Sequence, residues 1–185
     1  RRQRQMCIRD SNDSRFLRKN GLFERSPKTI KTEKIDILDV GTGCGNIIIS
    51  LAGILRESKY KFSACDISTE AVKTAVKNAK VYGDESRIEF VVSDLFAGFN
   101  NDRRFDIIIS NPPYIAEKEY DELSADVKSE PYGALVPGKS GLEIISRLIE
   151  ESFGRLNCGG YLMFEIGYGQ ASQVQKMLEG RGYKE

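Results

Sequence analysis

Two short motifs in this chain have residue types suited to chemistry: Asp39-Val-Gly-Thr-Gly-Cys-Gly45 and Asn111-Pro-Pro-Tyr114. The first is a glycine loop, in which missing side chains let a ligand approach the backbone. The second offers amide and carbonyl oxygens that can accept hydrogen bonds from a flat –NH2 group. Together they suit a methyl donor held beside a planar amino nitrogen. Each motif closes an apolar run, Ile35-Asp-Ile-Leu38 in one case and Phe105-Asp-Ile-Ile-Ile-Ser110 in the other. Both therefore belong where a buried strand ends, the edge at which open α/β sheets bind ligands.

On the donor side, Gly41, Thr42, Gly43, Cys44 and Gly45 lie between a strand and the N-terminus of a helix, a nucleotide-type arrangement. The dinucleotide fingerprint needs a glycine three places after the second one, but Asn46 stands there. S-adenosylmethionine fits better than NAD. Asp66 ends the next apolar run, Phe62-Ser-Ala-Cys-Asp66, where its carboxylate can accept from both ribose hydroxyls. Asp94-Leu95 follows the third strand, placing a carboxylate for the adenine amino group and a leucine for the ring. A plain turn-capping role is the competing reading of Asp94.

On the acceptor side, the Asn111 side-chain oxygen and the Pro112 carbonyl can each take one N–H, aiming the nitrogen at the methyl group. Tyr114 can pack on the planar substrate. Pro112 and Pro113 restrict the turn, so these acceptors are preorganised. No general base is needed early, because methylation makes the nitrogen acidic and its proton can leave to water. The chain has no histidine, in keeping with that chemistry. The competing reading makes Asn111 a turn residue and the prolines loop punctuation.

The elements that must position these motifs alternate regularly. Strands are predicted near 35–40, 60–65, 88–92 and 105–110, with helices near 45–57 and 68–82. That alternation argues for a mostly parallel sheet with crossover helices. Ser68 is placed to cap the second helix, whose Ala71, Val72, Ala75, Val76 and Ala79 share a face, and Gly83 to end it. Residues 115–139 read as a long loop over the sheet edge, and long ordered loops are often functional. A helix over 141–156 would turn Leu142, Ile145, Leu148, Ile149 and Phe153 inward; Gly159-Gly160 would then turn the chain into a strand over Tyr161–Ile166, with a last helix near 170–180.

With 185 residues and 40% hydrophobic content, one substantial core is expected. A net charge of +1 gives no field that would draw in a nucleic-acid backbone. The four cysteines, Cys7, Cys44, Cys65 and Cys158, form no CxxC pair; reduced thiols and no metal are expected. No apolar run approaches the roughly 20 residues of a membrane span and no signal-peptide apolar region is visible, so the cytoplasm is the default compartment; a monomer is expected. Residues 1–11 have no apolar period and are expected to be a non-native tail, Met6-Cys-Ile-Arg-Asp-Ser11 resembling a translated sequencing-library adapter. Residues 12–34 are expected to hold a short helix over 14–23 and a polar connector, and residues 35–185 the main domain, lacking its last strands.

Taken together, these residues resemble the protein-(glutamine-N5) methyltransferases that modify peptide-chain release factors. The likeness runs from Ile35 to Lys184 through the glycine loop, Asp66-Ile-Ser, Ser93-Asp-Leu-Phe96 and Ser110-Asn-Pro-Pro-Tyr-Ile115. Its more specific part is Glu130-Pro131 with Ala134-Leu135, Gly141-Leu-Glu143, and Glu165-Ile-Gly167 followed by Gln170. The resemblance implies a Rossmann-like class I S-adenosylmethionine-dependent methyltransferase with helices on both faces of its sheet. It assigns Gly41 to Gly45, Asp66, Leu95 and Asn111 to the cofactor, and Asn111 to Tyr114 to the glutamine of a Gly-Gly-Gln loop. The family's small helical domain and its Pro-Arg-Pro-Glu-Thr-Glu segment have no counterpart here. Other readings are methylation of a ribosomal-protein glutamine, methylation of an exocyclic amine on DNA or RNA, and an inactive cofactor-binding module. A nucleic-acid substrate predicts a basic surface and a target-recognition region that the sequence does not display.

Overall fold

The computed structural model describes residues 34–184 and the backbone of Phe23–Glu24. Runs rich in Ile, Val and Phe form the strands β2 (Ile35–Val40), β3 (Tyr60–Asp66), β4 (Ile88–Val92), β5 (Phe105–Ser110) and β6 (Leu156–Phe164), with β1 (Phe23–Glu24) beside the last. Helices α1 (Asn46–Ile54) and α2 (Thr69–Tyr82) cross between the first parallel strands, and α3 (Glu143–Arg155) and α4 (Ala171–Arg181) flank β6. The sheet order is β1-β6-β5-β2-β3-β4. Every neighbouring pair is parallel except β1 with β6. The carboxyl ends of β2, β3, β4 and β5 therefore share one edge.

The sheet is buried on both faces, which explains why its strands read as continuous apolar runs. Because successive side chains alternate, Leu38 and Val40 of β2, Ile108 of β5 and Leu162 of β6 pack with Ile145, Leu148 and Ile149 of α3 and with Val174 and Leu178 of α4. Ile37, Phe62, Ala64 and Ile109 point the other way, onto Ile48, Ile49 and Ala52 of α1 and Ala79 of α2. The expected helices on both faces are thus present. The Ser68 hydroxyl accepts from the Ala71 N–H and Gly83 closes α2 in the left-handed conformation, as the sequence predicts.

Two expectations require correction. β6 begins at Leu156, directly after α3, and the Gly159-Gly160 pair lies inside it instead of preceding it. The glycines form a bulge: Phe105 pairs with Leu156 but Ile107 with Tyr161, so four residues of β6 oppose one of β5. A side chain on Gly160 would come within 2.9 Å of the Asp106 carbonyl, and the Asn157 amide donates to the Asp106 carboxylate at 2.9 Å. The second correction concerns Phe23, expected at the end of a helix. Its backbone is extended and pairs with Leu162, supplying partners to strand groups that an open edge leaves unsatisfied. The rest of the expected helix, and residues 1–11, lie outside the described residues.

The segment 115–139 is more ordered than a plain loop. The Ile115 N–H donates to the Leu135 carbonyl at 3.0 Å and the Glu117 N–H to the Gly138 carbonyl at 3.1 Å. Ile115, Leu135 and Val136 form a small cluster of their own, with Tyr114, Tyr120, Leu123 and Val127 against it.

Candidate active site

Strand register places the two motifs side by side. Val40 of β2 lies opposite Cys65 of β3 on one side and Ser110 of β5 on the other. The residues that follow, Asp66 and Asn111, therefore flank Gly41, on strands that lie two spacings, about 10 Å, apart. The Ser110 hydroxyl donates to the Val40 carbonyl at 2.7 Å, and the Gly41 and Thr42 N–H groups donate to the Cys65 carbonyl at 2.8 and 2.9 Å. These bonds tie the three strand ends together.

The glycines of the first loop divide into two kinds. Gly41 (φ 69°) and Gly43 (φ 57°) are left-handed, and a side chain on either would meet nothing within 4 Å, so both border open space. Gly45 (φ 88°) faces inward, where a Cβ would stand 2.7 Å from Ile49 and 3.1 Å from Ala75, so its missing side chain lets α1 and α2 pack closely. Cys44 is exposed, and its carbonyl accepts from the Asn78 amide at 2.9 Å. Asp66 is held from both sides: one carboxylate oxygen accepts from the Gly43 N–H and the other from the Ser68 N–H, each at 2.9 Å. Each oxygen retains a further acceptor direction.

Beneath the loop, Asp39 is fully buried. One of its oxygens accepts from the Thr42 hydroxyl at 2.7 Å, and the Ile48 N–H in the first turn of α1 also favours the carboxylate. Burial pushes its pKa up to about 7, against the opposing effect of the Thr42 bond. The Cys65 thiol, also pushed up by burial to about 12, donates to the Leu95 carbonyl at 3.3 Å. It is inert at neutral pH.

Leu95 is the one non-glycine residue with positive φ, 46°, among those described. Its carbonyl is turned inward to accept from the Ser93 hydroxyl at 2.8 Å as well as from Cys65. Such a conformation costs of order 1–3 kcal/mol and collects at functional turns. Asp94 has a partner that the sequence did not disclose. Its two oxygens accept from the Arg147 guanidinium of α3, each at 3.1 Å. Because both groups are nearly half exposed, the pair itself contributes little stability.

In the second motif Asn111 is exposed, Pro112 buried, and Pro113 and Tyr114 half-buried. The Tyr114 hydroxyl donates to Glu165 at 2.7 Å. Burial and then that bond raise the Tyr114 pKa well above its ordinary value, with the exposed Glu130 adding to it through its charge. The ring is thereby fixed and stays neutral. Glu165 follows β6, and its N–H donates to the Ser110 carbonyl at 3.1 Å.

A family model for the methyltransferase small domain matches residues 22–129. This chain belongs to that methyltransferase family. It is similar to a release factor glutamine methyltransferase of Rhodopirellula baltica, 43% identical over 80% of this chain and 50% of the relative. It is similar also to one of Koribacter versatilis, 39% identical over 85% of this chain and 54% of the relative. The chain thus spans about half the length of the curated relatives it matches. Among solved structures, a methyltransferase from Pyrococcus furiosus shares the fold with a TM-score of 0.55 and 23% identity, covering 80% of this chain and 62% of that one.

The methyltransferase domain thus brings Gly41, Thr42, Gly43, Cys44, Asp66, Asp94, Leu95, Asn111, Pro112, Pro113 and Tyr114 to one sheet edge, and directs Gly45 into helix packing. Three further residues stand at that edge, Ile67 and Glu165 within motifs of the resemblance and Arg147 outside them. Ile67, directly after Asp66, is 70% exposed, an apolar surface where a ring could lie. Glu165 fixes Tyr114, and Arg147 holds Asp94. Charge and hydropathy carried no signal for these pairings, since their partners are more than fifty residues apart. Among the described residues no cluster is arranged to hold a metal ion, and no helix is long and apolar enough to cross a membrane.

Proposed function

We propose that this domain transfers a methyl group from S-adenosylmethionine to the side-chain amide nitrogen of the glutamine in the Gly-Gly-Gln loop of a peptide-chain release factor, a cytoplasmic protein. The observation that carries the reading is the flanking of Gly41 by Asp66 and Asn111, which sets a ribose anchor and an amide acceptor on either side of an open glycine loop. The names of the curated relatives supply the substrate class.

The residues present fit the donor. Open space over Gly41 and Gly43 admits it. Asp66 holds the ribose hydroxyls through its remaining acceptor directions, Ile67 offers an exposed apolar face to the adenine, and Asp94, with Arg147 behind it, takes the amino group; the Leu95 side chain, expected against the ring, is buried in the core instead. S-adenosylmethionine, when bound, supplies an electrophilic methyl carbon.

The chain's own contribution is orientation. The Asn111 amide hydrogen-bonds no other described residue, so its oxygen is available to one substrate N–H while the Pro112 carbonyl takes the other. Tyr114, held by Glu165, supports the flat amide. With both N–H groups directed into acceptors, the nitrogen faces the donor, which is the geometric advantage that accounts for much of such rate enhancements. The proton released after transfer leaves to water. Glycine neighbours in the substrate let its loop enter a narrow site.

The test is methyl transfer from labelled S-adenosylmethionine to purified release factor, beside a release factor whose loop glutamine is replaced. Label on the natural loop alone bears out the reading. Label on neither, or label on a nucleic acid instead, overturns it.

A further inference from the structure

We propose that Gln170 is a positioning residue for methyl acceptance, its side-chain amide clamping the Asn111–Tyr114 loop to two other segments at the sheet edge; this rests on reading that loop as the acceptor site. Gln170 stands just before α4, partly buried. Its Nε2 donates to the Tyr114 carbonyl at 2.9 Å and to the Gly141 carbonyl at 3.3 Å, while its Oε1 accepts from the Gly167 N–H at 2.8 Å. One planar group therefore ties the exit of β5, the entry to α3 and the exit of β6, with both of its donors used.

The surroundings are shaped to this amide. Gly141 is left-handed (φ 77°), and a side chain there would run into the Tyr114 carbonyl and come within 3.0 Å of the Gln170 Nε2. A side chain on Gly167 would come within 3.0 Å of the Gln170 Oε1 and 3.2 Å of the Tyr114 ring. The hydroxyl of Tyr114 is held at 2.7 Å by Glu165 from the same β6–α4 segment. Tyr114 is thus fixed at its carbonyl by Gln170 and at its ring by Glu165, and the short Asn111-Pro-Pro stretch before it inherits that position. None of these bonds reaches the glycine loop or Asp66, so the clamp acts on the acceptor and leaves the donor alone.

Only an amide satisfies this arrangement. A carboxylate in its place would oppose negative oxygen to two carbonyl oxygens. A protonated carboxyl would restore one donor for Tyr114 and one acceptor for Gly167. Gln170→Glu should therefore be defective when ionised and recover as it gains a proton, whereas Gln170→Met should be defective at every pH.

The experiment uses the full chain with release factor and saturating S-adenosylmethionine, measuring kcat against pH for wild type and both variants, with cofactor Kd and hydrogen exchange of residues 111–117 alongside. At neutral pH both variants should lose roughly 10²-fold in kcat, the scale of a displacement of about 1 Å, with cofactor Kd unchanged and faster exchange in 111–117. The ratio of Gln170→Glu to wild type should climb as pH falls, and that of Gln170→Met should stay flat. Wild-type kcat in both variants, or an equal loss at every pH with weakened cofactor binding, would overturn the clamp. A wild type that leaves the release factor unlabelled overturns the substrate reading instead; unchanged exchange in 111–117 would then still overturn the clamp.

Discussion

The Asp66 carboxylate accepts the Gly43 N–H at 2.9 Å, so the residue read as ribose anchor also holds the glycine loop that borders the donor space. Binding and loop order are therefore coupled at one side chain. Asp66→Ala should weaken S-adenosylmethionine more than tenfold, since each charge-assisted bond contributes about 1.5–3 kcal/mol. Isothermal titration measures this directly, and unchanged affinity would remove Asp66 from the site.

Asn111 calls for the opposite pattern. It is exposed and its side-chain amide hydrogen-bonds no other described residue, so Asn111→Ala should shift stability by no more than about 0.5 kcal/mol. Methyl transfer should nonetheless fall at least roughly 10²-fold, as when a preorganised polar contact is removed. Parallel thermal melts and single-turnover transfer separate the two effects; transfer that survives would rule out Asn111 as the acceptor ligand.

How much of this was legible beforehand depends on the range of the interaction. The strands and α2 were readable because their signals are local: apolar runs for a sheet covered on both faces, and Ser68 and Gly83 at the ends of one helix. The family resemblance was carried by motifs, and relatives of that name bear it out. Gly159-Gly160 misled because a glycine pair signals a turn as readily as a bulge; what distinguishes them is the Asp106 carbonyl, which belongs to a different strand. Arg147 with Asp94 and Gln170 with Tyr114 were invisible for the same reason, being 53 and 56 residues apart.

The two kinds of glycine in the loop should separate on substitution. Gly45→Ala forces a methyl group against Ile49 and Ala75 and should cost about 1–3 kcal/mol of stability from overpacking, added to the left-handed backbone penalty. Gly41→Ala meets open space, so it should lose only the conformational cost of about 1–2 kcal/mol, while a methyl group enters the space assigned to the donor. Urea melts with and without S-adenosylmethionine test this: Gly45→Ala should be the less stable without ligand, and Gly41→Ala the less stabilised by it. The reverse order would exchange their roles.

Asp39 supplies a pH signature. Its pKa rises from 3.8 to about 7 on folding because burial penalises the carboxylate. The folded protein therefore holds a proton that the unfolded chain has released between about pH 4 and 7, so this group's contribution to stability falls as pH rises through that window and levels off above it. Asp39→Asn keeps the shape and can still accept from Thr42 but cannot ionise. The melting temperature of the variant minus that of wild type should therefore increase from pH 4 to pH 7 and then stay constant. A difference that does not change with pH would show that folding leaves the Asp39 pKa where it is in the unfolded chain.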